Sequence, residues 1–102
     1  MIYGNEKDHS EEEIVEGVYR KNLFSDENLQ LCWLKIGKGE IPEHAHPNEQ
    51  VGYILKGKME SNIGGEKGIL EPGSYFFIPG NASHSGYVYE YTIMIEIYSP
   101  PR

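Results

Sequence analysis

Three histidines and a glutamine stand in a pattern typical of metal ligation. His44 and His46 are separated by one residue, and alternate residues of a β-strand point to the same face of a sheet. Gln50 lies just beyond a turn at residues 47–48 that would fold it back beside them, and His84 follows a later turn. Three imidazoles and one side-chain oxygen suit a divalent first-row metal. These four side chains are therefore candidate ligands of one ion, with nickel, zinc, manganese and iron all as candidates; the alternative is that the histidines are ordinary surface or core residues.

A carboxylate in the last apolar stretch is the second chemical signal. Residues 91–98 read YTIMIEIY, so the odd-numbered positions form an apolar face and the even-numbered ones a mixed face that includes Glu96 and Tyr98. The apolar face is expected to pack against the core, and the mixed face to line a lumen. Glu96 then has two interpretations: an ordinary residue on a solvated face, or a buried carboxyl with a raised pKa that serves acid–base chemistry.

Short β-rich runs separated by turn residues must position these groups. About eight or nine such runs, spaced roughly every 8–12 residues, are typical of an antiparallel sandwich or barrel. Gly64-Gly65 predicts a hairpin, whereas Ser10 to Glu13 has the form of a capping box within an acidic run. The predicted strands cover 17–24, 28–36, 40–46, 50–56, 58–63, 67–70, 74–78, 84–90 and 91–98.

Length and composition bound the class of protein. The 102 residues fit a single domain, 1–102, of which 1–13 form a polar N-terminal segment. The formal charge of −7 argues against nucleic acid and against an anionic membrane surface as partners. The lone Cys32 excludes an internal disulfide, and neither a signal-peptide core nor an apolar run of about 18 residues is present. We therefore expect a cytoplasmic protein.

Two segments resemble the paired motifs of the cupin superfamily. Residues 39–57, GEIPEHAHPNEQVGYILKG, are similar to G-x5-H-x-H-x3-4-E-x6-G, with the histidine pair and Gln50 at the ligand positions. Residues 73–88, GSYFFIPGNASHSGYV, are similar to G-x5-P-x-G-x2-H-x3-N, with His84 at the histidine position. This resemblance implies an all-β, double-stranded β-helix (jelly-roll) cupin barrel.

The departures from these motifs carry information. Asn81 replaces a glycine and tolerates the same left-handed turn conformation, while Val88 replaces a position that does not ligate metal. Gln50 replaces a glutamate, so the site keeps one more unit of positive charge. That difference favours polarisation of an oxygen-rich ligand over redox chemistry.

The end of the chain is similar to the small cupins of pectin and alginate breakdown, which convert unsaturated uronates to linear ketouronates. In that group a histidine pair, a glutamine and a later histidine hold the metal. An acidic residue, an aromatic residue and an arginine complete the active site. The resemblance implies these catalytic roles for Glu96, Tyr98 and Arg102, with Glu in place of Asp and Tyr in place of Phe. It also implies a homodimer formed through a flanking N-terminal strand.

The function expected from these features is ring opening and keto–enol conversion of an unsaturated uronate, a small sugar-acid substrate. The metal would polarise a sugar oxygen, Arg102 would hold the carboxylate and Glu96 would move the proton. The alternatives are a metal-dependent dioxygenase of a small organic molecule, a non-catalytic sugar-binding cupin, and a storage or scaffold cupin without metal.

Overall fold

The strands form one antiparallel sheet that curls into a jelly roll. The computed structural model describes residues 2–102, so Met1 of the predicted polar segment lies outside it. Eight strands pair in the order β1-β2-β3-β8-β5-β6, with β4 added to β8 and β7 to β5. In chain order the elements are a 3₁₀ turn at Glu6–Asp8, β1 (Glu12–Val15), β2 (Val18–Ser25), β3 (Gln30–Ile36), β4 (Gly39–His44), β5 (Glu49–Ile63), β6 (Glu66–Leu70), β7 (Tyr75–Ile78) and β8 (His84–Ser99).

The two longest strands, β5 and β8, form the centre of the sheet. They pair from Glu49 opposite Ser99 to Ile63 opposite His84. One half of β5 also pairs with β7 and the other with β6, while β8 pairs with β4 near its start and with β3 near its end. Each long strand thus contributes to both halves of the roll. The predicted all-β jelly roll is confirmed.

Glycines with positive φ angles form a hairpin that was predicted and a β-bulge that was not. Gly64 and Gly65 have φ angles of +58° and +91° and close the expected two-residue hairpin. The predicted strand end at Gly57 is wrong, because β5 continues through it with a shift of register. Gly57 has φ +99°, and a Cβ there would lie 2.3 Å from the Tyr91 carbonyl oxygen. Glycine therefore lets a bulge bend the strand without ending it.

The predicted break at residues 90–91 is also wrong, because β8 is one strand of 16 residues.

The acidic run near the N-terminus begins β1 at Glu12 instead of forming a helical turn. A 3₁₀ turn lies earlier, where the Asn5 side chain accepts a hydrogen bond from the Lys7 backbone N–H. Among residues 2–102, no helix is long and apolar enough to cross a membrane.

The buried face of β8 is the mixed one, so the predicted packing of the apolar face against the core is wrong, while Met94, Glu96 and Tyr98 of the mixed face line the interior of the roll as predicted. Thr92, Met94, Glu96 and Tyr98 are all at most 5% exposed, whereas Ile97 on the apolar face is 43% exposed. The mixed face packs against the inward side chains of β3, such as Cys32 and Leu34. Burial of the polar groups is possible because each has a hydrogen-bond partner: Tyr98 donates to Glu96, and the Thr92 hydroxyl donates to the Glu90 carbonyl oxygen at 2.7 Å.

We predict that the Gly57→Ala substitution destabilises the fold strongly. A Cβ at a positive φ and in contact with the Tyr91 backbone should lower the free energy of unfolding by about 2–4 kcal/mol. Urea denaturation measures this change. Gly68→Ala is the matched control, since a Cβ there has nothing within 4 Å. Equal stability of the two variants would contradict this account of the bulge.

Candidate metal centre

Three histidines meet where β4 ends and β8 begins. His44 and His84 are opposite each other in the β4–β8 pair, and their ring centroids lie 4.1 Å apart. His46 follows in the loop after β4, with its ring 5.0 Å from that of His84. One ligand nitrogen from each ring lies within 4.8 Å of the others. The predicted convergence of the three imidazoles is therefore present, and the cluster could hold a metal ion.

The turn before β8 holds His84 against the loop that carries His46. Asn81 has φ +66°, the left-handed conformation expected at this position. Its backbone N–H donates to the His46 carbonyl oxygen at 2.7 Å. At Gly80 a Cβ would lie 2.6 Å from the Pro47 carbonyl oxygen, so the two segments approach closely only because this residue is glycine.

Backbone carbonyls set the orientation of all three imidazoles. The Nδ1 atoms of His44, His46 and His84 lie 2.9, 3.2 and 2.9 Å from the carbonyl oxygens of Pro42, Asn48 and Ala82. A carbonyl oxygen only accepts hydrogen bonds, so each Nδ1 carries the proton and donates it. Each Nε2 then keeps a lone pair for a metal.

Burial also favours neutral imidazoles at this cluster. Desolvation is the largest cause that lowers the pKa of His46 and of His84 below the usual value for histidine. Arg102 lowers both pKa values further. Neutral rings with free lone pairs are the form that ligates metal.

Gln50 completes the cluster from β5. Its Oε1 lies 3.2 Å from His46 Nε2, and its Nε2 donates to Glu96 Oε2. The bond to Glu96 fixes the amide, so its oxygen is the atom that faces the histidines. Two lone pairs that face each other repel unless a cation or proton lies between them, which fits a metal ligated by both atoms.

Glu96 and Tyr98 lie side by side on the buried face of β8. The Tyr98 hydroxyl donates to Glu96 Oε1 at 2.7 Å, so both carboxyl oxygens accept hydrogen bonds. Burial is the largest cause that raises the pKa of Glu96, while the bonds from Tyr98 and Gln50 oppose the rise. Burial also raises the pKa of Tyr98, which therefore remains a hydroxyl donor. Of the two interpretations of Glu96, burial is the one found.

The C-terminal segment lies over this site, held by two residues that sequence analysis missed. Asn48 Nδ2 donates to the carbonyl oxygens of Pro100 and Pro101 at 2.7 and 3.1 Å. The Arg102 backbone N–H donates to Gln30 Oε1 at 2.9 Å. The guanidinium carbon of Arg102 lies 5.9 Å from the centre of the Tyr98 ring. In the sequence Asn48 is indistinguishable from an ordinary turn residue, whereas in the structure its side chain is buried.

A cavity of about 410 Å³ opens beside the cluster. Its lining combines the polar side chains of the cluster and of β8 with aliphatic side chains of the inner sheet face. Arg20 lines it too and was not among the predicted site residues. The residues that line it include Val18, Arg20, Leu34, Ile36, His44, Gln50, His84, Met94, Glu96, Tyr98 and Arg102.

Residues 31–89 match the model of the cupin domain family. This match spans more than half of the chain and includes all three clustered histidines. The chain therefore belongs to the cupin family, as the two motifs predicted.

The chain is similar in sequence and in structure to particular cupins. The chain is 31% identical over 94 residues to the pectin degradation protein KdgF of Dickeya dadantii, covering 89% of this chain and 86% of that protein. An RmlC-like cupin from Shewanella frigidimarina superposes with a TM-score of 0.92 at 28% identity, over 100% and 93% of the two chains. The structure of KdgF from Halomonas sp. superposes with a TM-score of 0.87 at 28% identity, over 94% and 90%.

We predict that His84→Ala abolishes stoichiometric metal binding. The parent should retain about one divalent ion per chain after dialysis, and added metal at 100 times the Kd should raise its free energy of unfolding by about 2.7 kcal/mol. Elemental analysis and thermal unfolding measure the two effects. His9→Ala is the control, because His9 lies outside the cluster. Full metal content in His84→Ala would contradict the assignment.

Proposed function

We propose that this chain is a metal-dependent enzyme of sugar-acid metabolism that promotes ring opening and keto–enol conversion of an unsaturated uronate. The observation that carries the proposal is the contact between Gln50 and Glu96, which places a buried carboxyl directly beside the cluster of imidazoles. The similarity to a pectin degradation protein supports the sugar-acid substrate.

The donor set fits a divalent metal held by His44, His46, His84 and Gln50. Such an ion would supply Lewis acidity toward an oxygen of the sugar. The amide of Gln50 is neutral, so these ligands do not cancel the charge of the ion. The backbone carbonyls behind the imidazoles keep the rings in place.

The reaction is an isomerisation in which one proton changes position. The anomeric hydroxyl loses a proton as the bond between the anomeric carbon and the ring oxygen breaks, and the former ring oxygen takes up a proton, which leaves an aldehyde and an enol. The enol O–H then loses that proton while a proton adds to the other carbon of the double bond, which gives the ketone. Glu96 is the group we propose to accept and return this proton, because its raised pKa suits both directions.

Tyr98 and Arg102 are proposed to assist from the same side. The Tyr98 hydroxyl holds the Glu96 carboxyl in one orientation. Arg102 lines the cavity at the end where the C-terminal segment lies over the cluster, and its guanidinium would contact the uronate carboxylate.

We predict that the metal-loaded protein accelerates the loss of ultraviolet absorbance of an unsaturated monouronate, with the keto product detected by NMR. Glu96→Gln should lower kcat by about 10²–10⁴-fold at unchanged metal content, because it cannot exchange a proton. Glu66→Gln on the exposed hairpin is the control.

Each alternative function has its own outcome in that experiment. No acceleration by the metal-loaded parent would reject the proposal, and ligand binding without turnover would indicate a sugar-binding cupin. Oxygen consumption with an iron-loaded sample would indicate a dioxygenase. Purified protein that neither contains metal nor is stabilised by it would indicate a scaffold cupin.

A second copy of this chain is the partner that we propose for the outer face of the sheet. Two cross-strand rows of that face form what we call the outer apolar patch; the first carries no charged side chain, and the second ends on β2 at Lys21, which pairs with Glu6. Ile97 within it is 43% exposed and Tyr75 is 75% exposed. The rows are Phe24, Leu31, Ile97, Val51 and Phe77, and beside them Trp33, Ile95, Tyr53 and Tyr75.

The outer apolar patch favours a second copy over other partners. Contiguous exposed apolar surface of this kind marks an interface, and sheet faces pack well against one another. Two chains with a charge of −7 repel each other, so a contact through apolar side chains costs less than one that brings carboxylates together. The flanking strand β1 pairs with β2 of its own chain on one side and is the end strand of the sheet, so the predicted dimer contact through the N-terminal strand stays a prediction beside the patch.

We predict that Val51→Lys converts a dimer of the parent to a monomer, since it places a cation in the middle of the patch. Light scattering after gel filtration at about 50 µM, well above a micromolar Kd, measures the mass. Ile69→Lys is the control, because Ile69 is 53% exposed but lies on β6, outside the patch. A monomeric parent, or a dimeric Val51→Lys variant, would contradict the proposal.

A cytoplasmic location is also part of the proposal. Cys32 is a buried free thiol, and burial raises its pKa to about 11. A protein with a single unpaired cysteine fits a reducing compartment. Fractionation that recovers the protein outside the cytoplasm would contradict this.

A further inference from the structure

Arg20 is a cation inside the cavity that the proposed reaction does not use. It lies on β2 opposite Leu34, which in turn is opposite Met94 of β8. The same cavity is lined by Gln50 and Glu96. Arg20 therefore belongs to the inner face of the sheet, in contrast to its neighbour Lys21, whose ammonium group lies over the ring of Trp33 on the outer face.

No acceptor among residues 2–102 satisfies Arg20. Its Nε is buried and has no hydrogen-bond partner in the described chain. The ion pairs there join Lys21 to Glu6 and Lys35 to Glu11. The oxygens of Glu96, the acid that lines the same cavity, accept from Gln50 and Tyr98 instead. A buried guanidinium N–H without an acceptor lowers stability, and an acceptor from outside the chain would remove that cost.

The surroundings of Arg20 strengthen its attraction for an anion. Val18, Leu34, Ile36 and Met94 line the cavity near it, and an apolar wall weakens the screening of charge by water. A guanidinium presents paired N–H donors that match the two oxygens of a carboxylate.

Arg20 and the cluster of imidazoles are separated along the direction of the strands. Arg20 lies in the same cross-strand row as Met94, through Leu34. Gln50 is paired with Tyr98, four residues further along β8. At about 3.4 Å per residue, that separation is roughly 14 Å of strand. The side chains of Arg20 and Gln50 reach into the cavity between these rows, so one small ligand could contact both.

We propose that Arg20 binds the carboxylate of the ligand inside the cavity and selects carboxylated ligands over neutral ones. The identity of the ligand as a uronate rests on the proposed function. Arg102, at the end of the chain, would then be a second cation at the same site, and Arg20 would be a specificity-determining residue of the sheet itself.

Calorimetric titration of the metal-loaded protein tests the proposal with two probes, D-galacturonate and its neutral methyl ester. Arg20→Gln should weaken binding of the acid by about tenfold to a hundredfold and leave binding of the ester unchanged. Arg20→Lys should restore part of the affinity for the acid. Lys21→Gln is the control, since it removes the same charge from the adjacent residue on the outer face.

The outcomes separate this proposal from the proposed function. Equal weakening of both probes, or no weakening of either, overturns the role of Arg20 even if unsaturated uronate is turned over. Selective weakening of the acid supports Arg20 even if no turnover occurs. Failure of the parent to bind galacturonate overturns the role of Arg20, whereas the proposed function is decided by the turnover of unsaturated uronate.

A ligand-free measurement guards against a purely structural effect. Arg20→Met keeps an unbranched apolar side chain that matches the stem of arginine and removes the unsatisfied donors, so the midpoint of urea unfolding should stay the same or rise. A large fall in that midpoint would show that Arg20 serves the fold, and it would overturn the proposal.

Discussion

The hydrogen bond from the Gln50 amide to the Glu96 carboxylate is the contact on which the arrangement of the site depends. It joins β5 to β8, the two strands that pair along most of their length. Through this bond the buried Glu96 carboxylate accepts a hydrogen bond, and the side-chain oxygen of Gln50 is turned toward His46. One contact thus makes a buried carboxyl tolerable and orients a neutral ligand atom.

Charge is the physical difficulty of a sugar-acid ligand for this chain. A molecule with a formal charge of −7 repels anions at long range. The compensating cations are local: Arg20 within the cavity and Arg102 over the Tyr98 ring. A divalent ion on three neutral imidazoles and a neutral amide would add to them. At cavity distances such groups outweigh dispersed surface carboxylates, which water and salt screen.

The chemical motif was predictable because it depends on short spacings. His44 and His46 flank one residue, and Gly64-Gly65 closes a two-residue turn, so local geometry decides both. The buried face of β8 was not predictable in this way. Its apolar residues lie outside because Glu96 and Tyr98 find hydrogen-bond partners in each other and in Gln50, which is distant in sequence.

Arg20 and Asn48 escaped prediction for a related reason. An arginine in a β-strand and an asparagine in a turn are both common on protein surfaces. Only the curvature of the sheet turns Arg20 into the cavity, and only the path of the last residues brings Pro100 to the side chain of Asn48. Gly57 was mispredicted for a different reason: a glycine is typical both of the end of a strand and of a bulge within one, and here it forms the bulge.

The most direct test is a crystal structure of the metal-loaded protein with anomalous scattering recorded at the absorption edge of the metal. The account predicts one anomalous peak at about 2.0–2.2 Å from the Nε2 atoms of His44, His46 and His84 and from Oε1 of Gln50. Glu96 should lie outside the ligand set, still bonded to Gln50. A peak ligated by Glu96 in place of Gln50, or a peak away from the histidines, would contradict it.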